Sequence, residues 1–206
     1  MADLLQLDKM DLDALRETAN IGAGHAATAL SQMTGDTIMI TVPTITIAAL
    51  EDVPSRILPE EEPIVAVLMQ MMGDLTGRTL LVFPHPTAVR LAQLMIRRPQ
   101  APDAPFGDLE QSAIKEAGNI LSGAYMNALS EFMGLMLLPS PPSLAIDMST
   151  AVLNTAYLQF GTERDMVVAV ETQFFLQGEG EELRGFFLLL PDAASLQVIL
   201  RAIRVL

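Results

Sequence analysis

The sequence repeats part of itself, and this internal duplication constrains the fold more than any other feature. Residues 14–21 (ALRETANI) are echoed by residues 113–120 (AIKEAGNI), 99 positions further along the chain. The echo continues beyond these segments without a gap, and a looser one relates residues 77–84 to residues 185–191. A chain with this pattern is predicted to fold as two copies of one unit.

The two copies are predicted to span about residues 8–98 and 107–206, joined by the proline-rich segment 98–105. Each copy opens with a helix of about six turns, near residues 11–33 and 108–133, as the 3.6-residue periodicity indicates. Short strands cannot bury a sheet face alone. We therefore predict one domain of the α/β (α+β) class. It is a pseudo-two-fold duplicated unit in which helices pack on a shared, largely antiparallel sheet of six strands.

Short runs of strand-like composition, joined by turns, predict where the strands lie. The six runs are residues 37–50, 64–71 and 76–83 in the first copy and residues 144–148, 166–176 and 185–190 in the second. A closing helix is predicted in each copy, from residue 86 and from residue 192. The pattern of residues 149–160 is ambiguous, and no element is assigned to them.

The composition narrows the classes of function. Twenty-five acidic residues against 12 basic ones give a net charge of −13, which repels nucleic acids and anionic lipid headgroups. There is no cysteine, so thiolate zinc sites and cysteine nucleophiles are excluded, and the two histidines lie too far apart to suggest a metal cage. The N-terminus lacks the features of a signal peptide, and no apolar run has the roughly 18 residues of a membrane span. We expect a cytoplasmic chain that does not insert into membranes.

One face of each long helix is polar and carries the same residue types. On a helical wheel of 100° per residue, two sets of residues each fall within about 40° of one line. They are Asp13, Glu17, Asn20 and Gly24 in the first helix, and Ser112, Glu116, Asn119 and Gly123 in the second. Glycine inside a helix costs about 1 kcal/mol relative to alanine. Gly22, Gly24 and Gly123 therefore indicate places where another backbone comes close, and on the polar stripe that backbone could belong to a partner.

The stripes contain a motif, Asp/Ser-x3-Glu-x2-Asn-x22-Pro, that occurs twice. Its members are Asp13, Glu17, Asn20 and Pro43 in the first copy, and Ser112, Glu116, Asn119 and Pro142 in the second. The motif resembles that of the CheC, CheX and FliY phosphatases of bacterial and archaeal chemotaxis. Residues 20–24, 73–77 and 145–148 also look like CheC.

The resemblance implies a phosphatase that hydrolyses the aspartyl-phosphate of a phosphorylated CheY-type receiver. In that scheme Asn20 and Asn119 orient the attacking water, while Glu17 and Glu116 pair with the active-site lysine of the receiver. The receiver brings its own Mg²⁺, so the chain is expected to need no metal or cofactor of its own. Structural roles are favoured for the two prolines. For Asp13 and Ser112, a catalytic role and simple stripe polarity are equally plausible.

The alternative is a non-enzymatic interaction module. The resemblance leaves this open, because CheC proteins also bind the receptor deamidase CheD, and the fold recurs in flagellar switch proteins such as FliM, which lack the paired Glu and Asn. Asp147 is the candidate for a CheD contact, although a turn or cap after a strand explains this residue equally well. Both Glu/Asn pairs are intact here, which favours the enzyme.

Overall fold

The structure is a computed structural model, and it describes residues 9–41, 44–49, 61–97, 106–160, 166–176 and 182–204. The described part of the first copy contains α1 (Lys9–Thr34), β1 (Ile38–Ile40), β2 (Thr44–Ala49), β3 (Pro63–Gly73), β4 (Gly77–Pro84) and α2 (His85–Ile96). The described part of the second contains α3 (Asp108–Met133), β5 (Leu137–Pro139), β6 (Ser143–Met148), α4 (Ser149–Phe160), β7 (Met166–Leu176), β8 (Glu182–Pro191) and α5 (Ala193–Arg204). The two long helices lie where the periodicity predicts them, and residues 149–160 are a helix.

The strands form one sheet in which every pair is antiparallel. Its order is β1-β7-β8-β4-β3-β5, with β2 also alongside β7 and β6 also alongside β3. The fold class is therefore confirmed. The predicted count of six strands is wrong, because the described residues form eight. The sheet has six positions across its width, and two short strands share each outer position.

The two copies exchange their outer strands. Strand β2 of the first copy pairs with β7 of the second copy, and β6 of the second copy pairs with β3 of the first copy. The central pair, β4 with β8, also joins the copies, with Leu80 opposite Leu188. Each copy therefore completes the sheet of the other, and this arrangement brings α1 and α3 into contact on the same face.

The sheet is buried on both faces. On β3, Val65 and Val67 belong to the core beneath the long helices, whereas Ile64 and Ala66 belong to the core beneath α4. This alternation is the two-residue period of a strand. Because both faces of β3 are buried, the strand reads as a nearly continuous apolar run.

The long helices pack closely at Gly22. A Cβ atom added to this residue would lie 2.9 Å from Cδ1 of Tyr125 and 3.0 Å from its Cα. The Tyr125 ring in turn stacks on Phe187 of the sheet, with ring centroids 4.7 Å apart. The expectation that another backbone approaches Gly22 is thus met by α3, and the two helices form a firmly seated pair.

Candidate functional site

The two long helices direct their polar stripes away from the core. Glu17 and Asn20 of α1 are exposed, as are Glu116 and Asn119 of α3. The opposite face of each helix is buried, with Leu15 and Ala19 in α1 and Ile114 and Ala117 in α3 among the core residues. Residues three apart lie on the same helix face, so each helix presents its Glu and Asn together. The periodicity predicted this orientation correctly.

The Glu and Asn side chains of the two stripes are not engaged by any part of the chain that the structure describes. Among the residues that the structure describes, none of the four makes a hydrogen bond or an ion pair. The nearest cation in sequence to Glu17 is Arg16, and Nη1 of Arg16 donates to Oδ1 of Asp13 at 3.2 Å. Two carboxylates and two amides therefore remain available to a partner molecule.

The first position of the motif differs between the copies. Asp13 is held in the ion pair with Arg16, and both side chains are 53% exposed. Ser112, its counterpart in α3, is exposed and uncharged. The chemistry at this position is thus not duplicated, unlike that of the Glu and Asn.

The structure describes one of the two motif prolines. Pro142 is half-buried in the short segment between β5 and β6, and Pro43 lies outside the described residues. Beside Pro142, the backbone N–H of Ser140 donates to the carbonyl of Gln70, and Oγ of Ser140 accepts from the N–H of Gln70, both at 2.9 Å. This position, where an outer strand breaks, favours a structural role for Pro142.

Asp147 lies on the outer strand β6, opposite Ile64 of β3. Its side chain is exposed, and Oδ1 accepts a hydrogen bond from the N–H of Met148 at 2.8 Å. That local bond matches the structural interpretation of this residue. The exposure keeps it accessible to a partner.

An exposed apolar residue precedes the motif in both copies and was not predicted from the sequence. Met10 is 74% exposed and Leu109 is 53% exposed. They lie three residues before Asp13 and Ser112 and are themselves 99 positions apart. The repeat offset was the signal that could have revealed them. Exposed apolar side chains next to accessible polar groups are typical of a protein docking surface.

The site is an open surface and not a cleft. An apolar cavity beneath α1 and α3 is lined by Leu15, Ile45 and other apolar side chains and by Thr18, whose hydroxyl donates to the carbonyl of Ala14 at 2.9 Å. The described residues contain no group of three or more His, Asp or Glu placed to hold a metal ion. They also contain no helix long and apolar enough to cross a membrane. Among the described residues, the Glu and Asn of the two stripes are the polar groups that the sequence motif and the exposure single out together.

Comparisons with known proteins agree with the duplication and with the fold. The model of the CheC-like family matches residues 10–47 and 109–146, two segments that are again 99 positions apart. The CheY-P phosphatase CheC of Bacillus subtilis is 30% identical over 194 residues, which cover 93% of each chain.

Two proteins named FliY are also similar. The flagellar motor switch phosphatase FliY of B. subtilis is 31% identical over 141 residues, which cover 68% of this chain and 36% of FliY. The crystal structure of Thermotoga maritima FliY superimposes with a TM-score of 0.78 at 24% identity, over 97% of this chain and 98% of that one. By its paired segments and its 30% identity to CheC over 93% of each chain, this chain belongs to the CheC-like family.

Proposed function

We propose that this chain is a phosphatase that hydrolyses the aspartyl-phosphate of a CheY-type chemotaxis receiver. Its two sites are Glu17 with Asn20 on α1 and Glu116 with Asn119 on α3. One observation carries the proposal: an exposed, unengaged Glu/Asn pair occurs twice, in the same arrangement, on two helices that pack firmly together. The name of the similar B. subtilis protein, a CheY-P phosphatase, supports the same substrate.

The chemistry follows from what the stripes contain and from what they lack. An exposed asparagine cannot act as a strong base, but its amide can accept from and donate to a water molecule and so hold it in line with the phosphorus atom. Water then attacks phosphorus, the bond to the aspartyl oxygen breaks, and inorganic phosphate and a free carboxylate are released. Placement of this kind is the main contribution of proteins to phosphoryl transfer. The receiver supplies the Mg²⁺ that neutralises the phosphoryl oxygens.

The glutamate gives the asparagine its position on the receiver. Glu17 and Asn20 are about 4.5 Å apart along the helix axis at 1.5 Å per residue. A carboxylate that pairs with the receiver's active-site lysine therefore brings the amide into the same active site. The ion pair forms in a partly water-excluded interface, where charge pairs contribute more than at a free surface.

The assay that tests the proposal is receiver dephosphorylation. A chemotaxis-type receiver is phosphorylated with acetyl phosphate, and the release of phosphate is followed with and without this protein. We expect faster release with the native chain and no acceleration with the Asn20→Ala/Asn119→Ala double variant. If the native chain leaves the rate unchanged for every chemotaxis-type receiver tried, the proposed activity is wrong.

We also propose that the chain acts in the cytoplasm, where receivers operate, and that its two copies form one domain. The exchange of β2 and β6 between the copies supports a single folding unit. Neither copy retains a complete sheet when separated from the other.

Binding of the deamidase CheD is a second candidate function. It is favoured by Asp147, which is exposed on the outer strand β6, immediately before α4. The test is a binding measurement with purified CheD and an Asp147→Lys variant. We expect loss of CheD binding with unchanged receiver dephosphorylation. If the native chain and the Asp147→Lys variant bind CheD equally well, Asp147 takes no part in CheD binding and has only its structural hydrogen bond with Met148.

A further inference from the structure

The long helices contain four glycines, and the packing of the chain explains two of them. Gly22 lies against the backbone of Tyr125, as described above. A Cβ atom on Gly118 would come within 2.6 Å of Cγ1 of Val67 on β3. Both positions therefore need glycine for reasons internal to the fold.

The internally explained glycines are not repeated between the copies. The residue 99 positions after Gly22 is Leu121, and the residue 99 positions before Gly118 is Ala19. The two long helices therefore make their closest packing contacts at positions that are not equivalent between the copies. Duplication alone does not preserve a glycine.

Gly24 and Gly123 behave in the opposite way. They are equivalent across the 99-residue offset, and each follows the motif asparagine by four positions. Apart from the adjacent backbone of its own helix, a Cβ atom on either would meet no atom of the described residues within 4 Å. Neither has the positive φ that would require glycine. Gly24 is exposed and Gly123 is half-buried. Nothing within the described chain explains why glycine, a poor helix former, occupies both positions.

We propose that Gly24 and Gly123 are contact points at which the main chain of the receiver lies directly against the enzyme helix. This inference rests on the proposed function and deepens it. Four residues correspond to about 6 Å along the helix and 40° around it. A receiver that surrounds Asn20 or Asn119 must therefore cover the next turn of the same stripe. Only glycine lets another backbone reach the helix backbone there, because any Cβ would stand between them.

The test uses Gly24→Ala in an Asn119→Ala background and Gly123→Ala in an Asn20→Ala background, so that one site is measured at a time. The free chain has room for the added methyl group, and alanine is the better helix former. We expect the Tm to rise by about 2–4 °C. The docked receiver has no such room, so we expect KM for phosphorylated receiver to rise by about fivefold or more. Affinity for the receiver held in its phosphorylated form by beryllofluoride should weaken by the same factor.

Gly22→Ala in the same backgrounds is the matched control, since it adds the same methyl group two residues away beneath α3. Here the Tm should fall while KM stays within about twofold. The larger substitution Gly24→Leu should weaken receiver binding further, without lowering the Tm below that of the native protein. If both Gly24→Ala and Gly123→Ala keep the native KM in an enzyme that dephosphorylates the receiver, the contact is wrong while the proposed function stands. If the native chain has no activity, the proposed function itself fails.

Discussion

The helices α1 and α3 carry the same Glu/Asn pair in different electrostatic surroundings. In α1 the pair is flanked by the Asp13–Arg16 ion pair and by exposed His25. In α3 the position of Asp13 is taken by uncharged Ser112, and the position of His25 is taken by Ala124, which is 9% exposed. The groups proposed to carry the chemistry are duplicated, and so is the basic residue before each glutamate, Arg16 in α1 and Lys115 in α3, whereas the acidic Asp13 is not. We infer that both sites perform the same reaction and differ only in how they hold the receiver.

Removal of both asparagines is the most severe test of equivalence between the copies. The Asn20→Ala/Asn119→Ala variant should lower kcat by on the order of 10² or more, the loss typical of deleting one preorganised hydrogen-bonding group. Each single variant should retain about half of the native activity, because the other site still works. Steady-state phosphate release measures all three. Loss of nearly all turnover in one single variant would mean that the other copy is inactive or that the two act as one site.

Within one copy, removal of the glutamate and removal of the asparagine should have different kinetic effects. In an Asn119→Ala background, Glu17→Ala should mainly raise KM, because the ion pair with the receiver's lysine forms before the reaction and persists through it. Glu17→Lys should raise KM more than Glu17→Gln does, because the new lysine repels the lysine of the receiver. Asn20→Ala combined with Asn119→Ala should lower kcat while leaving receiver binding nearly intact. Single-turnover kinetics and equilibrium binding separate these effects, and the reverse pattern would exchange the two roles.

The closing helices α2 and α5 differ at their N-termini, and this difference should appear in the pH dependence of stability. Oδ1 of Asp192 accepts from the N–H of Ser195 at 2.8 Å, and its Oδ2 accepts from the hydroxyl of Thr76. The helix α2 has no side-chain cap at Pro84. The hydrogen bond from Thr76 is the largest cause, and that from Ser195 the next, of a pKa of Asp192 below its ordinary value of 3.8.

Because the folded-state pKa is the lower one, the carboxylate of Asp192 stabilises the fold above about pH 4. That contribution is lost as the pH falls through the folded-state value. Asp192→Ala should lower the free energy of unfolding by about 1 kcal/mol at pH 7, as the loss of a helix cap does. The difference in the free energy of unfolding between the variant and the native chain should become smaller below pH 4. Urea denaturation at several pH values measures both quantities. A constant difference down to pH 2 would rule out the charged cap.

Exchange of the first motif residue should have the smallest effect. Asp13→Ser releases Arg16 and removes one negative charge near an anionic phosphoryl group, so KM at the α1 site should fall. Ser112→Asp should raise KM at the α3 site. Each change should be at most about fivefold, the range of exposed charge pairs, and should shrink in 0.5 M salt. A change in kcat of tenfold or more would instead give Asp13 a catalytic role.

Much of the site could be predicted because the information is local. A spacing of three residues puts Glu17 and Asn20 on one helix face, and the apolar residues opposite them decide which face is buried. The repeat then extends the same prediction to Glu116 and Asn119. Asp147 could not be assigned in the same way, because its exposure and its bond to Met148 depend on how the outer strand ends.

Only the tertiary structure decided how distant segments pair. Residues 37–50 read as one strand, yet β1 pairs with Leu176 to Phe174 and β2 with Glu171 to Met166, further along the same partner β7. The strand β5 has three residues and was missed, because so short a run has no recognisable period. Residues 149–160 became a helix that packs Val152 and Leu153 onto the second face of the sheet.

By itself, the sequence determined that the chain is duplicated, that each copy begins with a long amphipathic helix, and that each helix presents a Glu and an Asn to solvent. These are properties of spacing along a single segment. The tertiary structure decided that the copies exchange strands, that Gly22 is covered by Tyr125, and that Gly24 and Gly123 are open. Such features depend on which remote residues meet. That outcome is set by the packing of the whole core and not by the periodicity of any one element.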